Sequence, residues 1–324
     1  MKSIKMTIIA FMILLIFSGC SRGAVIDNSE EKKIAIAEQY GLAYAPLQII
    51  KEMGILEKNL PGIQVEWKQL GNTAAIREAM LAGEIDAGFM AIPPFLIGWD
   101  KGMQWKIASG LSISPTGLIS NNDRIQSIKD FTLNDRIALP QPGSIQHILL
   151  SMACEKEFGD PGKLDGNLVT LAHPDGMNAL LVGKEIKAHF TSPPYLFKEL
   201  QREGMHLILD GNDAMGSKFS FIVGVTTEKF HDENEDVYEV FVKSIDEAAE
   251  FIAESPRQAA EMLTDIYQIP VDELLDYLTW EGTEYTTKVY GLNKFVEFMN
   301  ENGYINKTPK NRNEILWEEV QYEN

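Results

Sequence analysis

Apolar residues recur along this chain with two alternating periods. Residues 34–37 form a short apolar run with strand character. Residues 45–53 follow with helical spacing, with Pro46 in the first turn, where its missing N–H costs nothing. Residues 64–69 alternate as a strand does, and Asn72-Thr73 opens a second helix carrying Ile76, Ala79 and Met80. Residues 85–90 predict a strand, 93–101 a helix, 105–109 and 137–140 further strands. The helix expected over 144–158 places Ile145, Ile148, Leu149, Met152 and Ala153 on one face. Strands at 168–171, 186–190 and 207–209 alternate with helices at 175–182 and 193–203. From about Asp232 onward the pattern is helical: 232–254, 256–267, 270–279 and 287–302. Strands alternating with helices predict an α/β fold with mostly parallel sheets, in two α/β runs followed by a helical C-terminal tail.

Composition narrows the function classes. The chain has 324 residues, long enough for two lobes, and its 45% hydrophobic content is that of a globular protein. A formal net charge of −18, with no Lys/Arg run to offset it, repels a phosphate backbone and excludes general nucleic-acid binding. The amino-terminal segment reads as an address. Lys2 and Lys5 precede an apolar run over residues 6–17, too short for a mature membrane span, which takes ~20 residues. Ser18-Gly19 and Cys20 follow, as in a bacterial lipobox, with Phe17 standing where Leu is usual. Residues 1–19 are then a signal peptide, Cys20 the lipid anchor and 20–33 a polar tether. The plainer alternative is an ordinary cleaved signal with an incidental Cys20. Cleavage there removes two lysines and no acid, so the mature chain is more acidic still. With two cysteines no disulfide framework forms, and Cys154, on the apolar face of 144–158, reads as a core residue.

Candidate chemistry lies after the strands. In open α/β sheets ligands sit beyond the strands' carboxyl ends, where helix N-termini offer unpaired N–H groups and partial positive charge. The segments there are Gln39-Tyr40, Gly71-Asn72-Thr73, Pro93-Pro94, Gln141-Pro142-Gly143-Ser144, His173-Pro174-Asp175 and Thr191-Ser192-Pro193-Pro194-Tyr195. They are rich in hydroxyls, amides and aromatics and nearly free of Lys and Arg, which suits a small polar or anionic molecule held by neutral donors. The candidate ligand-binding residues are Gln39, Tyr40, Asn72, Thr73, Pro93, Ser144, His147, His173, Thr191, Ser192 and Tyr195. Ser144, Asn72 and Thr73 serve equally as helix caps, His147 as a satisfied structural histidine, Asp175 as a cap and Pro93-Pro94 as a turn. No Walker loop, GxGxxG, GxSxG or HExxH occurs, and the five histidines show no metal-ligand spacing.

Three motifs in order carry a family resemblance: Leu81-Ala-Gly-Glu-Ile-Asp86-Ala-Gly with Ile92-Pro93-Pro94; Gly143-Ser144-Ile-Gln-His147; and Asp175…Ala179-Leu-Leu-Val-Gly183 with Ala188…Pro193-Pro194-Tyr195. Over about residues 34–310 the chain resembles the nitrate/sulfonate/taurine-type solute-binding proteins of ABC importers, whose relatives bind pyrimidine-like thiamin precursors. The resemblance implies a two-lobed periplasmic-binding-protein fold of type II. Lobe 1 would be 34–112 plus 218–324 and lobe 2 would be 113–217, with chain crossings near 110–114 and 210–218 and a hinge that closes on the ligand. It implies a lipid-anchored monomer on the extracytoplasmic face of the cell membrane, delivering a small anionic or polar solute to an ABC permease with its ATPase. It implies no cofactor, metal or catalytic residue. The segment Phe190-Thr-Ser-Pro-Pro-Tyr195 departs from the family's Trp-x-Pro-type turn, so a neutral pyrimidine-like or aromatic ligand stays open, as does a non-transport sensor lipoprotein. Enzymes share the fold, but the pyrimidine-precursor synthases carry a cysteine cluster this chain lacks and the menaquinone-pathway enzymes are cytosolic.

Overall fold

A computed structural model describes residues 32–323, so the signal, Cys20 and nearly all of the tether lie outside the described residues. The chain runs through β1 (Lys33–Glu38), α1 (Ala45–Met53), α2 (Ile55–Asn59), β2 (Gln64–Gln69), α3 (Thr73–Leu81), β3 (Ala87–Met90), α4 (Ile92–Asp100) and β4 (Trp105–Ile113). It then forms β5 (Gly117–Ser120), β6 (Arg136–Leu139), α5 (Ile145–Phe158), β7 (Leu168–Thr170), α6 (His173–Val182), β8 (Ile186–Thr191), α7 (Tyr195–Leu200), β9 (His206–Asp210) and α8 (Gly211–Met215). The last part is β10 (Ile222–Thr227), α9 (Glu228–Glu233), α10 (Glu235–Glu254), α11 (Pro256–Tyr267), α12 (Val271–Leu278), β11 (Glu284–Tyr285), β12 (Val289–Tyr290), α13 (Leu292–Glu301) and β13 (Tyr322–Glu323).

Two sheets result, with strand orders β11-β4-β10-β3-β1-β2 and β7-β6-β8-β5-β9. They are mixed rather than mostly parallel. β1 pairs in parallel with β2 and β3, and β6 with β7 and β8, but β10 runs antiparallel to β3 and β4, and β5 antiparallel to β8 and β9. The connectivity explains this. β4 leads straight out of the first sheet, so β5 enters the second sheet from the end toward which β6 and β8 run. β10, returning from α8, enters the first sheet in the same opposed sense. Neither passage has the crossover helix that parallel neighbours need.

Besides the two-residue strands β11, β12 and β13, β5 and β10 are the strands that periodicity does not reveal. Both lie inside a sheet and are buried on both faces, so neither alternates, and Gly117, Ser120, Gly224 and Thr226 break up what apolar run they have. Other differences are local. The helix expected over 232–254 breaks at Asn234 into α9 and α10. The one expected from 287 starts at Leu292, because 289–290 pair with β13. The one expected over 193–203 is confined to Tyr195–Leu200, behind Pro193-Pro194, whose peptide bond is cis. The core runs continuously from Ile36, Phe89 and Trp105 to Leu118, Ile148 and Phe190. Burial of each such side chain contributes about 1.5–3 kcal/mol. Cys154 is fully buried within α5, and burial pushes its thiol up to about 12, so it is a core residue.

The Gly-x-Ile-Asp motif has a structural meaning. The carboxylate of Asp86 accepts the Ala35 N–H at 2.9 Å, and its own N–H donates to the Ala35 carbonyl at 2.9 Å. The aspartate therefore pins the start of β3 to β1.

Candidate functional site

The strands that run toward the facing edges of the two sheets end in short turns and then in helices, so helix N-termini gather there. A narrow cleft of about 40 Å³ lies between them. The first sheet's side contributes Gln39, Tyr40, Tyr44, Thr73, Ala91 and Pro94; the second contributes Gln141, Ser144, Gln146, His173 and Ser192. Pro140 and Ile145 from the second sheet's side, with Phe221 and Ile222 where β10 begins, complete the lining. Thr73, Ile145 and His173 are the first residues of α3, α5 and α6, and Ala91 is the cap of α4, so four helix N-termini meet in one cleft. The two sides touch: the Leu42 N–H donates to the Pro193 carbonyl at 3.1 Å.

Six of the expected ligand-binding residues are brought together here. Gln39 reaches over from β1, its amide donating to Thr73 Oγ1 at 3.1 Å. Tyr40 stands at the rim, 43% exposed. Thr73, Ser144, His173 and Ser192 are at the wall. Ser144 caps α5, accepting the His147 N–H at 3.3 Å, and lines the cleft as well, so cap and wall coincide in one residue.

The other five stand elsewhere. Asn72 caps α3, its Oδ1 accepting the Ala75 N–H at 3.0 Å. Pro93 is buried in the first turn of α4, and Pro94 faces the cleft in its place. His147 turns away: its Nδ1 accepts the Gly143 N–H at 2.9 Å and its Nε2 lies 3.1 Å from Asp165. Gly143 needs its φ of +79°, a conformation glycine adopts without strain. The Gly-Ser-x-x-His motif is thus a closed turn, with glycine for the bend, serine for the cap and histidine to tie the bend. Thr191 is fully buried, its Oγ1 3.2 Å from His173 Nδ1. Tyr195 stacks on His173, ring centroids 5.8 Å apart, and lines an adjoining outer space that opens to solvent.

Tyr44, Pro94, Gln141, Gln146, Phe221 and Ile222 are wall residues that sequence reasoning did not select. Gln141 lies inside a segment already marked by its place after a strand, Gln146 lies inside the Gly-Ser-x-x-His motif, and Tyr44 stands four residues beyond Tyr40. Phe221 and Ile222 depend on β10, which gave no periodic signal.

Among the described residues the inner cleft is lined by no Asp, Glu, Lys or Arg. Burial, and then the neighbouring His189, lowers the His173 imidazole to about 3, so it is neutral at physiological pH. Charge appears only outward: Glu38, Lys51 and Lys198 line the outer space, with Gln39 and Tyr40 shared by both. Burial pushes the Tyr195 phenol up to about 12, so it stays a donor. The wall is a set of neutral donors, aromatic faces and helix N-termini, which can hold a small molecule bearing acceptor atoms. Among the described residues no cluster of His, Cys, Asp and Glu is arranged to hold a metal ion.

The same fold recurs in solved structures. The periplasmic aliphatic sulphonate binding protein SsuA from Escherichia coli superposes with a TM-score of 0.68, at 19% identity over 90% of this chain and 94% of that chain. A ligand binding component of an ABC-type import system from Staphylococcus aureus, with zinc bound, gives 0.70 at 18% identity over 88% and 96%. The periplasmic nitrate-binding protein NrtA from Synechocystis PCC 6803 gives 0.63 at 15% identity over 76% and 70%. These likenesses establish the periplasmic-binding-protein fold. No protein of curated function matches the chain. Residues 27–266, well over half of the sequence, match one family throughout, and the protein belongs to the NMT1-like family.

Proposed function

We propose that this protein is the extracytoplasmic solute-binding component of an ABC importer, tethered by a lipid on Cys20, which captures a small solute in the cleft and hands it to a permease. The observation that carries the reading is the meeting of four helix N-termini from both sheets in one cleft without ionised side chains. Such a site recognises acceptor atoms by dipoles and by N–H groups, which α4 supplies from Ile92 alone because Pro93 and Pro94 have none, and wraps a ligand from two sides. It has no catalytic constellation to offer. Nitrate, taurine and alkanesulfonates are the first ligand class, in keeping with what two of the structural neighbours are named for. A neutral planar heterocycle is the second, favoured by the absence of Lys and Arg from the wall and by the rings of Tyr40, Tyr44 and Phe221.

Thermal-shift screening of the chain from residue 32 onward against nitrate, taurine, an alkanesulfonate and an aminopyrimidine tests this. A ligand at 100 times its Kd raises stability by about 2.7 kcal/mol, which displaces Tm visibly. The Thr73→Val, Ser144→Ala double variant should lose the shift. A shift that survives the double variant would place the ligand elsewhere, and no shift with any solute would defeat the receptor reading. Cys20→Ser should release the full-length protein from membranes, and retention would refute the anchor.

A further inference from the structure

Behind His173 a line of buried polar groups runs into the second sheet. Glu199 Oε1, on α7, lies 2.6 Å from His189 Nδ1, on β8. His189 Nε2 lies 3.3 Å from His173 Nδ1, which also has Thr191 Oγ1 at 3.2 Å, and His173 Nε2 lies 3.2 Å from Gln146 Nε2 in the cleft wall. Glu199 and His189 are wholly shielded from solvent. The backbone is cut to fit them: a Cβ on Gly176 would stand 2.6 Å from His189 Nε2.

Each link of this line shares one proton, so the whole line takes one of two polarities. With a proton on the carboxyl, Glu199 O–H donates to His189 Nδ1, and His189 Nε2–H donates to His173 Nδ1. His173 then carries its proton on Nε2. Gln146 must accept it through Oε1: the two ends of an amide are told apart only by their hydrogen-bond partners, so Oε1 takes the place of Nε2 against His173 and the NH2 turns toward the cleft. With an ionised carboxylate every link reverses, and the cleft meets the Gln146 carbonyl oxygen instead.

The surroundings select the first polarity. Glu199 Oε2 is buried with no hydrogen-bond partner, tolerable for a carbonyl oxygen and far costlier for a carboxylate. Among the described residues no Lys or Arg pairs with Glu199; its only ion-pair partner is His189. Burial pushes the Glu199 carboxyl up to about 9 and the His189 imidazole down to about 3, both toward their neutral forms.

We propose that Glu199 and His189 are positioning residues: they hold His173 as the Nε2–H tautomer, which turns the Gln146 amide so that its N–H groups face the cleft and select a ligand with an acceptor atom there. This deepens the receptor reading and rests on it for the ligand. An oxyanion, carbonyl oxygen or unprotonated ring nitrogen satisfies that wall, and an ammonium or a donor-only group does not.

Long-range proton–nitrogen NMR on protein with ¹⁵N-labelled histidine reads the tautomers directly, with no ligand present. At neutral pH, His189 and His173 should both be Nε2–H. Glu199→Gln should keep that pattern, because its amide N–H donates where the carboxyl O–H did. Glu199→Leu should give mixed tautomers at His189. An Nδ1–H tautomer for either histidine in the wild type overturns the proposal, and that measurement needs no variant to fold. For whichever of nitrate, taurine or the aminopyrimidine binds in the screen, Gln146→Met should weaken affinity at least tenfold, and unchanged affinity overturns the selecting role of Gln146. A screen that finds no ligand would leave the tautomers untouched, so failure of the receptor reading is seen separately.

Discussion

Each of the two sheets carries one buried glutamate beside the cleft, and the two are neutralised differently. Glu38 ends β1, with the Gln48 amide donating to its Oε2 at 2.6 Å and the Lys51 ammonium paired with its Oε1. Among the described residues Glu199, packed against β8, pairs only with His189. Glu38 lies at the floor of the outer space, where a lysine reaches it while its own side chain stays 22% exposed. Glu199 lies where no lysine could enter without leaving its charge dry. A buried carboxyl is therefore kept by a counter-ion where water is near and by its own proton where it is not. The sheets otherwise share one plan, β2-β1-β3-β10-β4 against β7-β6-β8-β5-β9, so the difference belongs to the side chains and not to the topology.

Lys51→Met gives the largest expected break. It strands Glu38 as a buried acid and should cost about 3 kcal/mol in urea unfolding. A cost below about 1 kcal/mol would place Glu38 in the same class as Glu199. Glu199→Leu comes next, at about 2 kcal/mol, because it leaves His189 Nδ1 buried without a partner. At pH 5, where the Glu199 carboxyl is neutral in the folded protein, Glu199→Gln should cost under about 1 kcal/mol, since the hydrogen bond survives.

The pH dependence sharpens the same contrast. Burial raises the Glu199 carboxyl from the ordinary carboxylate range to about 9. The stability its neutral form contributes is complete below the unfolded value near 4.5 and is lost as pH rises toward 9. His173 and His189, lowered to about 3, act in the other sense and cost stability as pH falls below about 6.5. Measured by thermal unfolding, Glu199→Gln should therefore gain on the wild type as pH rises from 5 to 9, by roughly 1 kcal/mol per pH unit. A flat difference would mean that Glu199 is ionised in the folded protein.

Smaller effects remain. Ser144→Ala removes the cap of α5 and should cost about 1 kcal/mol. Tyr40→Ala, at the exposed rim, should change stability by no more than about 0.5 kcal/mol while weakening any ligand found in the screen.

The comparison also marks where the chain was legible. Residues after strands with regular apolar runs, such as Gln39, Thr73, Ser144 and His173, were identifiable as site candidates because strand ends and helix starts are written locally. The same local logic named Asn72 and His147, whose side chains are spent on capping and on closing a turn; which way a side chain of that first turn faces is set by packing. Pro93 and Pro94 differ only by rotation about the helix axis, and the cleft meets the second. Phe221 and Ile222 were invisible because β10 is buried on both faces and shows no period. The Glu199–His189–His173 line joins residues that carry no shared motif.

Alternating strand and helix patterns, the turns between them and the acidic composition are properties of short stretches, and the sequence by itself determined them: an α/β chain with neutral donors after its strands. The antiparallel seating of β5 and β10, the meeting of four helix N-termini and the protonation of Glu199 depend on which distant segments exclude water together. Those were decided only by the tertiary structure, because burial and partner geometry, unlike periodicity, belong to no single segment.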